Sequence, residues 1–442
     1  MDNQTQPNSF FDRLNQWIKN SITIKLISVG ILILILLIPS SLIESLISER
    51  EYFRQEVIGE ISSIWGRDQT ISGPVLTVPY RAYSRDQDNK VITLIAYAHF
   101  LPDELNIDGS IEPEKRYRGI YEAIVYTTEL NLSGSFPTVK MHEFASPEDV
   151  LWSEAFLAMG ITDMRGIKNK VVLQWNDSAI TFDPGTISKD VISEGISAAL
   201  PVQSSDSVSN RFQMELVLNG SSSLNFIPVG KETTVNLLSD WPHPSFSGAF
   251  LPKERKISSD HFEAQWEVLH LNRNFPQQWS GAGENVMTAA FGVDLYIPVD
   301  QYQKSIRAAK YAILFVGLTF LIFFFMEAIY KKRIHPFQYI LVGLALIVFY
   351  TVLIALSEHI NFNLAYLLAV GSIVSMVTLY ARTLFPSWRQ AGLIGLVLVL
   401  LYAFLFVTLQ LQDYALLMGS IGLLFILGLV MYWSRKITWY KT

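Results

Sequence analysis

Residues 310–359 read KYAILFVGLTFLIFFFMEAIYKKRIHPFQYILVGLALIVFYTVLIALSEH, and their reading decides the fold. An apolar run from Tyr311 to Met326 is followed by the basic elbow Lys331-Lys332-Arg333 and a second apolar run from Pro336 to Ser357. A helix crossing about 30 Å of hydrocarbon needs roughly 20 residues. Two such runs joined by a short polar elbow predict a pair of membrane-spanning helices. Three adjacent cations place the elbow on the cytoplasmic side.

Working outward, further apolar stretches occupy 26–43, 360–381, 390–412 and 414–434. The segments between them alternate in charge. Lys331-Lys332-Arg333, then Arg382 and Arg389, then Arg435, Lys436 and Lys441 fall on one side, whereas the other carries Glu358 and Asp413 with no Lys or Arg. This pattern predicts six spans, a cytoplasmic leader over 1–25, a cytoplasmic tail over 435–442, and residues 44–309 outside. In a bacterium, that space is the periplasm. The first apolar run continues through Pro39 and Ser40-Ser41 into Leu42-Ile43 without a small-x-small cleavage pattern. It reads as an uncleaved anchor rather than a signal peptide. Residues 44–71 continue it as an amphipathic extension, with Leu46, Ile47, Phe53, Val57, Ile61 and Ile64 at helical spacing.

The net charge of −6 conceals a segregation. Residues 44–309 hold 22 Lys/Arg against 35 Asp/Glu, and the rest of the chain holds 12 against 5. With no basic patch in its polar part, the chain carries no signature of a nucleic-acid partner. The lipid bilayer is the partner that composition requires. Cysteine is absent, which excludes disulfides, Cys nucleophiles, Cys-ligated zinc and iron–sulfur sites. No Walker loop, dinucleotide fingerprint, G-x-S-x-G elbow or HExxH motif occurs, so no cofactor or metal is expected.

Residues 72–299 read mostly as strand. After Ser72-Gly73-Pro74, β-rich runs cover Val75–Tyr80, Val91–Phe100, Ile120–Leu132, Val171–Trp175, Ile180–Phe182, Phe212–Leu218, Leu224–Val229, Thr233–Leu238, Phe262–Leu271 and Ala290–Val299. Asn176-Asp177-Ser178 and Asn219-Gly220 supply turn chemistry between two pairs. One helix is expected after Ser146-Pro147-Glu148-Asp149, on the periodicity of Leu151, Trp152, Ala155, Phe156 and Met159. Residues 300–330 are expected to run as one helix into the membrane. The fold class is therefore a membrane protein of mixed α+β type. It combines a six-helix transmembrane region with a large, mainly antiparallel, sandwich-like domain inserted between the first and second spans.

The last four spans read as a duplicated hairpin. Leu341, Gly343, Leu344, Leu346, Tyr350 and Leu353 recur at an offset of 52 as Leu393, Gly395, Leu396, Leu398, Tyr402 and Leu405. Beyond the outer loop Tyr366, Gly371 and Ser372 match Tyr414, Gly419 and Ser420 at an offset of 48. Both copies run in the same direction, so the repeat is parallel. Gly371 and Gly419 would be small-residue patches where helices approach closely. A transporter or flippase built on these hairpins is the alternative function; it is weakened by the lack of a charge at mid-depth in any span.

Few residues invite chemistry. Glu327 lies four residues before Lys331 and could pair with it. Ser357-Glu358-His359 sits at an outer helix end, where an interfacial cap explains Glu358 and His359 better than a triad, since sequence neighbours point apart. Trp241-Pro242-His243-Pro244-Ser245-Phe246 reads as a rigid crossing packed by Trp241 and Phe246, with His243 a ligand or base only if other groups join it. Asp163-Met164-Arg165-Gly166 reads as an ion-paired turn in which Arg165 is the candidate contact.

At these stretches the chain resembles the CreD family of bacterial inner-membrane proteins, described as cell envelope integrity proteins. The residues carrying the resemblance are Ser72-Gly73-Pro74, Asp163-Met164-Arg165-Gly166, Trp241 to Phe246, Phe250-Leu251-Pro252, Asp300-Gln301-Tyr302, Lys310-Tyr311-Ala312, Gln338-Tyr339, Leu341-Val342-Gly343 and Ser357-Glu358-His359. The resemblance implies residence in the inner membrane, a link to the envelope-stress response, and altered sensitivity to envelope-directed toxins or β-lactams. It supplies no catalytic residues. The expected function is that of a non-enzymatic envelope protein whose periplasmic domain binds an envelope component or a partner protein.

Overall fold

The computed structural model describes residues 22–86, 88–200, 210–295, 301–330, 332–411 and 414–435. Leader residues 1–21, Asp300, Lys331, Asp413 and the basic tail beyond Arg435 lie outside the described residues. Two compact units emerge. One comprises Met1–Phe53 with Val299–Thr442, and the other Arg54–Pro298.

The first unit is helical: α1 (Ile22–Trp65), α2 (Gln301–Lys310), α3 (Ala312–Tyr330), α4 (Pro336–Ser357), α5 (Phe362–Leu384), α6 (Trp388–Gln410) and α7 (Ala415–Ser434). Among the described residues six helices are long and apolar enough to cross a membrane, α2 being the exception. Several begin on side chains that satisfy free N–H groups. His335 accepts from Phe337 N–H and Gln338 returns to His335 N–H, with Pro336 at the first helical position of α4. Asn361 and Ser387 cap α5 and α6 in the same way.

Two expectations about helix continuity come out differently. The anchor and its extension form one 44-residue helix that continues through Pro39. Residues 300–330, by contrast, are interrupted at Tyr311, whose N–H bonds the carbonyl of Ala308 at 3.0 Å, a three-residue rather than four-residue reach. No Gly or Pro marks that break, so the sequence gives no warning of it.

The second unit is two sheets around one core. The first sheet has nine described strands along the order Pro244–Gly248, Phe291–Leu295, Ser223–Phe226, Gln69–Arg85, Phe156–Ile161, Gly195–Ala199 and Asp183–Pro184. Val91–Phe100 also pairs with Gln69–Arg85 and carries Gln278–Ser280 on its far side. Eight described strands make the second sheet: Glu254–Ile257, Phe262–Leu269, Glu232–Ser239, Glu104–Arg118, Tyr121–Phe136, Asn210–Ser221, Val172–Trp175 and Ser178–Thr181. Strict alternation builds it. In Asn210–Ser221, Phe212, Met214, Leu216 and Leu218 point inward while Arg211, Gln213 and Glu215 face out. The inner faces meet in one apolar cluster that includes Val75, Leu76, Phe100, Leu105, Leu130 and Trp266. Pairing is mainly antiparallel, with two parallel contacts: Gln69–Ile71 beside Leu224–Phe226, and Glu232–Ser239 beside Glu104–Ile111.

Three local expectations are corrected here. The helix after Ser146 does not form. Pro147–Asp149 and Trp152–Glu154 are single tight turns, and Phe156–Ile161 is a strand buried along its whole length. Apolar residues at every position suit a central strand as well as one helix face. Asn219-Gly220 is no hairpin turn but strand, and the chain leaves one sheet for the other at Ser222 (φ 56°). Ser72-Gly73-Pro74 does not end a strand either; it forms a bulge within Gln69–Arg85, where the register against Phe156–Ile161 shifts. Asn176-Asp177 does turn a two-residue hairpin, with Asn176 at φ 49°.

Candidate functional site

Several of the residues singled out by sequence are committed to structure. The indole of Trp241 donates to the carbonyl of His243 at 3.1 Å, closing the rigid crossing. Phe246 stands edge-on to Phe262 and Trp266, with ring centroids 5.9 and 5.6 Å away. The imidazole of His243 is exposed. Arg165 forms a fork with Asp163: Nε to Oδ1 at 2.9 Å and Nη2 to Oδ2 at 2.8 Å. Backbone N–H groups of Arg67 and Arg165 also reach that carboxylate. These bonds, led by the one from Arg165, hold Asp163 down at about 2. Gln69 clamps the same turn through Asp163 N–H, Asp163 carbonyl and Asn219 carbonyl. The arrangement is a knot joining both sheets.

In the helical unit, Ser357, Glu358 and His359 do not converge. The Ser357 hydroxyl returns to the carbonyl of Ile354 at 3.0 Å, Glu358 accepts from the hydroxyl of Tyr302 at 3.1 Å, and His359 is exposed. Glu327 is buried; the expected partner Lys331 lies outside the described residues, and three described groups meet the carboxylate. Lys25 contacts Oε1, Ile334 N–H donates to Oε1 at 2.9 Å, and Tyr339 donates to Oε2 at 3.1 Å. Gly371 and Gly419 were expected at close approaches, yet a Cβ at either would meet nothing within 4 Å. Tight glycines do occur: a Cβ at Gly343 would run into Leu36 Cδ1, one at Gly395 into Thr378 Oγ1, and one at Gly422 into the ring of Phe404. Tyr350 and Tyr402, another repeat pair, are both buried, and Tyr366 donates to the Tyr402 carbonyl at 2.7 Å. Tyr414, its counterpart in the second hairpin, is exposed, so α7 keeps the repeat's sequence without its burial.

One constellation escapes sequence reading. His99 sits between Thr77 Oγ1, 3.0 Å from Nδ1, and Asp190 Oδ2, 3.3 Å from Nε2, with Trp279 against its ring at 5.6 Å. Burial lowers the affinity of His99 for a proton, although Asp190 opposes this. Thr77 and His99 are 2% and 1% exposed, which bars a substrate from the hydroxyl. Hydroxyl, imidazole and carboxylate are spread over more than a hundred residues of chain, so no spacing could reveal them. Among the described residues no three His, Asp or Glu gather as a metal site.

What the sandwich does offer is surface relief. The outer face of the second sheet carries a hollow of about 830 Å³ lined by Asp108, Asn236, Arg255, Glu263 and Gln265 among others. A second hollow of about 600 Å³ is lined by Asn106, Ser133, Gln174, Arg211 and Gln213. Both draw on Glu104–Arg118, a strand missed in the sequence although Leu105, Ile107 and Ile111 keep the alternation. Gly109 interrupts the apolar series, because Leu130 and Leu237 fill its inward position.

Six apolar helices and an inserted two-sheet β unit define a multi-pass membrane protein of α+β class. The family model for the inner membrane protein CreD matches residues 21–440, and the chain belongs to the CreD family. The inner membrane protein CreD of Escherichia coli (strain K12) is 34% identical over 415 residues, covering 92% of this chain and 91% of that one. Among solved structures, a mutant M1 zinc metallopeptidase from Deinococcus radiodurans aligns over 38% of this chain and 38% of its own, at 9% identity and a TM-score of 0.19. That likeness carries no argument.

Proposed function

We propose that this CreD-family protein is a non-enzymatic support of the cell envelope. Its β unit stands in the periplasm and binds an envelope component or a partner protein, while the spans anchor it. The observation that carries this reading is the contrast within the β unit. Its buried titratable groups, Asp163 with Arg165 and His99 with Asp190, are consumed in structural bonds, whereas its two broad hollows share one polar sheet face. That is what a recognition surface needs and what a reaction centre does not. The cations gathered at one set of span ends support a cytoplasmic side for both termini.

Photo-crosslinkers at Gln213 and Asn236 in living cells should capture an envelope component. Single cysteines at Ser84 and Ser258 should react with an impermeant thiol reagent in intact spheroplasts, and one at Thr442 should not. Labelling at Thr442 alone would reverse the orientation and end the proposal. The His243→Ala/His359→Ala double variant should still restore the envelope phenotype of a deletion strain; loss of that rescue in a folded protein would favour a hydrolase.

A further inference from the structure

We infer that the outer face of the second sheet is a binding trough for a neutral glycan chain. This inference names a ligand class for the recognition role proposed above and rests on that role. The two hollows meet along Glu104–Arg118, which gives Glu104 and Asn106 to one and Asp108 and Gly109 to the other.

Register places one row of uncharged amides and hydroxyls across the strands. Gln174, Gln213, Ser133, Asn106 and Thr234 are successive neighbours on five adjoining strands. Beside it a second row, Asn131, Asp108, Asn236 and Gln265, sets one carboxylate among three amides, and Glu215 and Glu254 adjoin its ends. Neighbouring strands are about 4.8 Å apart, so each row sets out polar groups at that interval. The interval is comparable to the advance of an extended glycan per sugar ring. Amide side chains supply donors and acceptors together, as paired sugar hydroxyls require.

Charge narrows the ligand further. Although residues 44–309 are strongly acidic, the larger hollow balances Asp108, Glu254 and Glu263 against Lys253, Arg255 and Lys256. Lys256 pairs with Glu263 at 3.3 Å and Lys253 contacts Glu267. In the smaller hollow one carboxylate, Glu104, and one guanidinium, Arg211, share the lining. A polyanion would find no excess of cations there. A peptide strand is also poorly served, since it binds at a sheet edge through backbone bonds with pockets for alternate side chains. The larger hollow does reach the edge strand Glu254–Ile257, but Asp108, Asn236 and Gln265 line it from the sheet face, and the rows are polar.

The test uses the full chain in nanodiscs with chitohexaose, cellohexaose and maltohexaose as probes, read by calorimetry and by saturation-transfer NMR. At least one should bind, and Asn236→Ala and Gln213→Ala should each weaken it roughly five- to tenfold, the loss of about one hydrogen bond. Thr186→Ala, on the Phe182–Ile192 segment away from the trough, should leave affinity unchanged. Binding by none of the three glycans, or equal binding by both trough variants, overturns the inference. Binding of a peptidoglycan stem tetrapeptide in their place overturns it in favour of a peptide site. In cells, Asn236→Trp fills the trough without touching the core. Normal envelope resistance with Asn236→Trp would discard the trough while leaving the envelope role standing; loss of partner capture at every position would discard the role itself.

Discussion

The phenol of Tyr339 donates to Glu327 Oε2 over 3.1 Å, so the first turn of α4 is tied to the last turn of α3 through a buried carboxylate. Ile334 N–H and Lys25 complete the coordination of that group. A carboxylate in an apolar setting is tolerable only when so enclosed. Glu327→Ala leaves the cation, the amide and the phenol without their acceptor and should cost about 3 kcal/mol or more. Glu327→Gln keeps one acceptor oxygen, for Ile334 N–H, and turns an NH2 toward the Tyr339 hydroxyl, which can accept from it, so it should cost less than Glu327→Ala. Thermal unfolding of the purified protein in one detergent checks both; equal midpoints for Glu327→Ala and the parent would show the pairing to be idle.

Glycines of equal appearance in the spans should behave oppositely. Gly343→Ala pushes a methyl into Leu36 Cδ1 and Phe320, and Gly395→Ala pushes one against Thr378. Each should lower stability by about 1–3 kcal/mol, the usual cost of overpacking. Gly371→Ala and Gly419→Ala meet open space within 4 Å and should be neutral or gain up to about 1 kcal/mol from the less flexible unfolded chain. The same melts decide it. A loss at Gly371 or Gly419 matching that at Gly343 would restore the close helix contact there.

His99 should make the β unit sensitive to mild acid. Burial, opposed by Asp190, lowers its folded pKa below the ordinary value. As pH falls below the ordinary value of about 6.5 the unfolded chain takes up the proton first, so the contribution of His99 is complete above that point and is lost as pH drops below it. His99→Gln keeps a polar side chain between Thr77 and Asp190 yet cannot titrate. The stability gap between parent and His99→Gln should therefore narrow between about pH 7 and pH 5. A constant gap would mean that folding leaves the proton affinity of His99 unchanged, and a gap that widens toward pH 5 would mean that Asp190 outweighs burial.

How much of this could be read in the sequence depends on whether a feature is local. The spans were legible because lipid demands long apolar runs, and the hairpin at Asn176-Asp177 because a two-residue turn carries its own chemistry. Phe156–Ile161 was taken for part of a helix, since a strand buried on both faces has no alternation to display. Asn219-Gly220 has the residues of a turn, but its carbonyl is wanted elsewhere. Asn219 accepts from Gln69, and Gly66 and Gly166 crowd close to it, so tertiary packing holds it extended. The trough was invisible for a related reason. Gln213, Ser133, Asn106 and Thr234 come from four separated segments, and only strand register sets them side by side. The Lys25–Glu327 contact is equally non-local and has no sequence spacing to reveal it.

Asp163 provides the strongest acid-side prediction. Its carboxylate accepts from Arg165 twice through the guanidinium and again through backbone N–H groups, which holds its pKa at about 2. A group depressed in this way contributes stability that is complete above the ordinary carboxylate value of about 3.9 and is lost as pH falls through the folded value. Asp163→Asn keeps the side chain's size but loses the charge and one acceptor at every pH. Parent and variant should thus differ by a fixed amount from neutral pH to about pH 5, and the difference should shrink steadily toward pH 2. Denaturant unfolding of the two full-length proteins, followed by tryptophan fluorescence at matched pH, measures that gap directly, because all other carboxylates titrate in both. Arg165→Lys should give an intermediate result: an ammonium restores the charge but not the two-pronged geometry. If the gap between parent and Asp163→Asn stays level down to pH 2, the carboxylate is not held by Arg165 in solution, and the exposed guanidinium is free to serve a ligand.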